Sequence, residues 1–171
     1  MPNERRTQIE DEIKAYDREI SINWKKQTHK MLEAAKGDAE EFRFVLEKMV
    51  GAKGSVARTL AEADHGNFFA YMYAHYDDIC HGVLDIFSVS TAAGLANNPL
   101  SYITKICHII NPNAYPLIWD TNVRKQLGIG ESKNRFRQKV DEIKPISQTL
   151  TREEAYTRES KLWAGETTEW Q

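Results

Sequence analysis

In segment after segment between Ile9 and Trp163 the apolar residues of this chain recur every three or four positions, broken by a period-free loop with two prolines from Asn111 to Trp119, and nowhere do they alternate over a useful length. A period near 3.6 is that of an amphipathic helix, and a period of two is that of a half-buried strand. The pattern therefore predicts an all-α protein, an orthogonal bundle of about seven helices. With 171 residues the chain fits one domain, and a fold of that size buries roughly 70% of the surface its unfolded chain exposes. We expect residues 1 to 164 to form that domain and residues 165 to 171 to be a tail.

Local signals place the elements. Ile9, Ile13, Tyr16, Ile20, Trp24 and Met31 make one stripe, which predicts a long N-terminal helix to about Gly37 whose apolar side could pair with a second copy. Asp38 followed by Glu41 has capping-box spacing and predicts a helix to Val50. A short helix over Ser55 to Ala63 comes next. Phe69, Met72, Tyr73, Tyr76, Ile79, Cys80 and Val83 then predict a central buried helix after the turn at Asp64-His65-Gly66-Asn67. Asn98-Pro99 reads as an N-cap with proline at the first helical position, opening a helix that Asn111-Pro112 ends. Asp120 caps a short helix to Gly128, Ser132 to Ile143 forms another, and Thr151 with Glu154 starts the last, which Trp163 docks on the core.

Composition narrows the function. A net charge of −2 gives no global attraction for nucleic acid or anionic membrane. Cys80 and Cys107 are the two cysteines, each beside a histidine, which argues against a disulfide scaffold or a four-cysteine metal site. No stretch approaches the ~18 apolar residues of a membrane span, and the charged start has no signal-peptide core, so the expected location is the cytoplasm. His75, Asp78 and His81 stand at three-residue steps that spread around a helix, and a satisfied histidine pair is the expectation there, with no metal and no organic cofactor.

Residues 99 to 130 carry the chemistry. Lys105 is the one charge in an apolar helix that includes Leu100, Ile103, Ile106, Cys107, Ile109 and Ile110. Its ammonium either snorkels to the rim or sits partly dry, and in the second case burial disfavours the charged form and frees an amine for nucleophilic attack. Asp120 arrives at a helix start, whose positive end attracts a carboxylate. An amine and a carboxylate aimed into one cleft suit cleavage of a glycosidic bond, the carboxylate stabilising an oxocarbenium-like sugar.

This order, a lysine in an apolar helix, a loop with prolines, then Asp120-Thr121-Asn122-Val123, resembles the helix-hairpin-helix DNA glycosylases, the endonuclease III and 8-oxoguanine glycosylase group. The resemblance covers about thirty residues. It implies a Schiff-base nucleophile at Lys105, a catalytic carboxylate at Asp120, removal of a damaged or modified base, and strand cleavage at the abasic site as a lyase step. It implies no cofactor and a DNA partner. The chain departs from the family in having Leu100-Ser101-Tyr102-Ile103-Thr104 where the family has a glycine-rich hairpin, and its own Gly128-Ile129-Gly130 follows the aspartate.

The charge around this segment is locally basic: Lys105, Arg124, Lys125, Lys133, Arg135, Arg137 and Lys139 stand against Asp120 and Glu131. Such a face could meet several phosphates. Asn122 lies within it, and Tyr102, Tyr115 and Trp119 are candidates to stack on a flipped-out base. His108 and Cys107 are expected to pack. The rival reading is a non-catalytic helical module that binds nucleic acid or protein.

Overall fold

In a computed structural model, the structure describes residues 1–15, 22–52 and 56–170. Among them there are ten α-helices and no strand, joined by short 3-10 and π turns. The helices are α1 (Asn3–Ala15), α2 (Ile22–Ala34), α3 (Ala39–Val45), α4 (His65–Ala74), α5 (Tyr76–Cys80), α6 (Val89–Ala92), α7 (Leu100–Ile110), α8 (Thr121–Leu127), α9 (Lys133–Ser147) and α10 (Arg152–Trp163). No helix among the described residues is long and apolar enough to cross a membrane.

Four helix starts, those of α3, α8, α9 and α10, follow from their capping residues. The Asp38 carboxylate accepts from the Glu40 and Glu41 N–H groups at 3.0 and 3.1 Å, and Thr151 exchanges bonds with Glu154 through its backbone and its side chain. Asn98 is not the cap predicted for α7: the cap position is Pro99, and Asn98 Oδ1 is buried without a partner. The Asp38 helix is regular only to Val45, after which Leu46–Val50 form a π turn.

One apolar core joins the N-terminal and C-terminal parts of the chain. Ile9, Trp24 and Met31 lie in it, so that much of the N-terminal stripe is spent on the protein's own interior and is not available to a second copy. Tyr16 and Ile20 lie outside the described residues. The expected central helix is two: His75 departs to φ −101° and ψ 14°, stacks on Tyr71 at 4.1 Å, and donates from Nδ1 to Asp78. Val83 and Trp163, both expected inside, are 69% and 38% exposed. The expected tail does the opposite. Trp170 is buried, with the Arg158 guanidinium 4.9 Å above its ring. The predicted helix over Ser55 to Ala63 is instead a pair of 3-10 turns, Val56–Thr59 and Glu62–Asp64; Ser55 itself lies outside the described residues.

Candidate functional site

Helix α7 is buried on almost every side. Leu100, Tyr102, Ile103, Thr104, Ile106, Cys107, His108, Ile109 and Ile110 are inside, while Ser101 and Lys105 are half-buried. Residues four apart share a helix face, so Lys105 stands one turn from Ser101 on the side of α7 that approaches the surface. That side carries the strand-like end of the following loop. Ser101 Oγ donates to the Trp119 carbonyl at 2.7 Å, and the Trp119 N–H donates to Thr104 Oγ1 at 2.8 Å. Both backbone groups of Trp119 are thus tied to one turn of α7, and the next residue is Asp120.

Asp120 caps α8. Its Oδ1 accepts from the N–H groups of Asn122 and Val123 at 2.7 and 3.3 Å, with φ −128° and ψ 145°, the extended backbone of an N-cap. At the other end Gly128 takes a left-handed φ of 66°, the glycine C-cap that closes the helix. The Gly128-Ile129-Gly130 string is therefore a helix stop and turn.

The loop between α7 and α8 contains Pro112 and Pro116, which lack an N–H, and it is held largely by side chains. Asn111 Nδ2 donates to the Cys80 carbonyl at 2.9 Å, and Asn111 Oδ1 accepts from the Ala114 N–H at 3.1 Å. Gly82 lets α5 approach: it sits at φ 71°, and a Cβ there would lie 2.7 Å from that of Ala114. Arg152 of α10 donates to the Ile110 carbonyl at 2.7 Å, satisfying the negative C-terminal end of α7.

The aromatic expectations need correction. Tyr102 is 1% exposed, with its hydroxyl donating to Leu46 O at 3.0 Å, and Tyr115 is 8% exposed, with its hydroxyl donating to Leu84 O at 2.9 Å. Both rings are core, where no extruded base can stack. Trp119 is half-buried, but Arg124 lies over its ring at 4.4 Å and Phe136 meets it edge-on at 5.2 Å. A base would have to displace Arg124 to use that face. Arg124 is held further by a 2.8 Å bond from Nη1 to Gly130 O. Asn122, Lys125, Lys133, Arg135 and Arg137 are exposed, and Arg137 stacks on Phe87 at 4.5 Å. These basic side chains therefore lie at the surface, and two of the arginines, Arg124 and Arg137, are braced on aromatic rings.

His75 and His81 each use Nδ1 locally, toward Asp78 at 2.8 Å and the Asp77 carbonyl at 2.7 Å. No group of three or more potential ligands among the described residues is placed to hold a metal ion.

Beneath α7 lies a polar cluster that pattern reading missed. Lys25 of α2, His108 of α7 and Glu159 of α10 are 3%, 0% and 2% exposed. The Lys25 ammonium pairs with Glu159 Oε2, lies 3.0 Å from His108 Nε2, and donates to the Tyr156 carbonyl at 3.4 Å. Glu159 Oε1 has no hydrogen-bond partner. Burial, then the Lys25 charge, holds His108 well below the ordinary histidine range, although the bond to Tyr115 O opposes this. Burial likewise lowers Lys25, against the pull of Glu159. No sequence signal marks this trio, because Lys25 and Glu159 occupy ordinary charged positions on helices 134 residues apart.

No protein-family model, no curated protein and no solved structure matches this chain.

Proposed function

We propose that the chain acts on DNA as a glycosylase, with Lys105 as nucleophile and Asp120 as the carboxylate that stabilises the sugar. The observation that supports the reading is the double tie of Trp119 to Ser101 and Thr104, which holds the residue before Asp120 on the side of α7 that bears Lys105. The chain is thereby held to one turn of α7 immediately before Asp120.

In this reaction the unprotonated Lys105 amine attacks C1′ of an extruded nucleoside. The bond from C1′ to the base breaks, and the base leaves with the electron pair and takes up a proton. Positive charge developing on the sugar falls beside Asp120. Transfer of a proton from the attacking nitrogen to the ring oxygen opens the sugar and gives a protonated imine between Lys105 and C1′; loss of a C2′ proton to water then forms a C2′–C3′ double bond as the 3′ phosphate leaves with its electron pair, which cleaves the strand. Arg124, Lys125, Lys133, Arg135 and Arg137 supply phosphate contacts around the site. Incubation with an abasic-site oligonucleotide and borohydride should trap a covalent adduct that is absent in Lys105→Ala. Failure of the wild type to form an adduct with abasic DNA, together with no base release from damaged duplexes, would refute it.

The rival reading, a non-catalytic binding module, is favoured by the same exposed basic face and by the engagement of Asp120 Oδ1 as a cap. Salt-sensitive DNA binding without an adduct would select it.

A further inference from the structure

Among the buried anchors of the loop that delivers Asp120, one is a histidine with two different partners. His108 Nδ1 lies 2.8 Å from the Tyr115 carbonyl oxygen, which can only accept, so Nδ1 carries the proton. Nε2 lies 3.0 Å from the Lys25 ammonium, which can only donate, so Nε2 accepts. Lys25 is in turn fixed by Glu159. A buried relay of hydrogen bonds thus runs from α10 through α2 and α7 to Tyr115, and His108 stands three residues from Lys105 on the same helix.

Core stability gives this relay little reason to exist. A buried ion pair typically adds nothing over apolar residues of the same volume, so its contribution lies in specifying one arrangement. Here the arrangement concerns the segment from Tyr115 to Trp119, in which Pro116 has no N–H and the next ties are those from Trp119 to Ser101 and Thr104.

We infer that His108 is a positioning residue for the Lys105 and Asp120 site: its Nδ1–H bond to Tyr115 sets the register of the loop on α7, and the Lys25–Glu159 pair holds the imidazole in the tautomer that can make it. The inference rests on the proposed reading of Lys105 and Asp120.

Two isosteric variants separate the two bonds. Asparagine places an N–H donor near the position of Nδ1, whereas glutamine reaches the position of Nε2 and loses the Tyr115 bond. His108→Asn should retain borohydride trapping and slow amide exchange at Trp119. His108→Gln should lose roughly a hundredfold in trapping rate, the cost of a misplacement of about 1 Å, and exchange faster at Trp119. Equal behaviour of folded Asn and Gln variants in both measurements overturns the inference. If wild-type protein traps no DNA, the glycosylase reading fails by itself, and the exchange difference still decides whether His108 sets the loop. Ring nitrogen NMR of the wild type needs no variant at all: a His108 protonated on Nε2, or on both nitrogens at neutral pH, also overturns it.

Discussion

The Trp119 backbone N–H donates to Thr104 Oγ1 at 2.8 Å, and Thr104 is itself 1% exposed. Removing the acceptor therefore strands a donor in the interior. We expect Thr104→Val, nearly the same shape, to cost about 1–3 kcal/mol in urea unfolding. Ser101→Ala should cost less, since Ser101 is only half-buried and water can replace it at the Trp119 carbonyl. An equal or larger loss from Ser101→Ala would contradict this account of the tie.

The Lys25–Glu159 pair predicts strong non-additivity. Lys25→Met or Glu159→Leu alone leaves one uncompensated charge in the core, and each should destabilise by about 3–5 kcal/mol. The double variant leaves none and should recover most of the loss. Additive single losses in a double-mutant cycle would show that the two side chains do not interact as described.

Stability should fall in mild acid. His108 is held neutral when folded, chiefly by burial and then by Lys25, whereas an unfolded histidine takes up a proton below about pH 6.5. The unfolded state then binds more protons, so the contribution is fully present above that pH and is lost as pH falls toward the lowered folded value. Half-buried His29 shifts in the same direction, through burial and then Arg152. The slope between pH 6.5 and 5 should be shallower in His108→Asn by up to about 1.4 kcal/mol per pH unit. Parallel curves for the two proteins would remove His108 from the acid transition.

Asp120 has a capping role and a proposed chemical role, and two substitutions pull them apart. Asn is as good an N-cap as Asp, so Asp120→Asn should keep the folding stability, while Asp120→Ala should lose about 1 kcal/mol. Base release should be lost in both. Full activity in Asp120→Asn would leave the carboxylate with the cap alone.

Arg135 and Arg137 are exposed on α9. Neutralising either, as Arg135→Gln or Arg137→Gln, should weaken duplex binding across sequences and reduce the salt dependence by about one phosphate contact each. An unchanged salt slope in the double substitution would place the DNA elsewhere.

How far the sequence could be read depended on whether the information was local. Helix α7 runs from Leu100 to Ile110, as Pro99 and Asn111-Pro112 bracket it, and α10 follows Thr151 and Glu154 to Trp163 as the capping box requires. Asp120 and Gly128 bound α8 as expected. Helix α9 instead passes its expected stop at Ile143 and ends at Ser147, with Pro145 tolerated in the last turn. Contacts set by distant segments were invisible. Trp163 and Trp170 carry the same side chain, yet the core takes the second and leaves the first partly outside. Tyr102 and Tyr115 looked available because an aromatic beside a basic stretch has no sequence mark telling core from surface. Lys25 looked like one solvated charge among many on its helix until Glu159 arrived to meet it.

That separation in sequence bears on truncation. A shortened form lacking α10 would keep Lys25 and His108 directed at the interior without the carboxylate that meets the ammonium, so closing the core around them would bury an uncompensated charge.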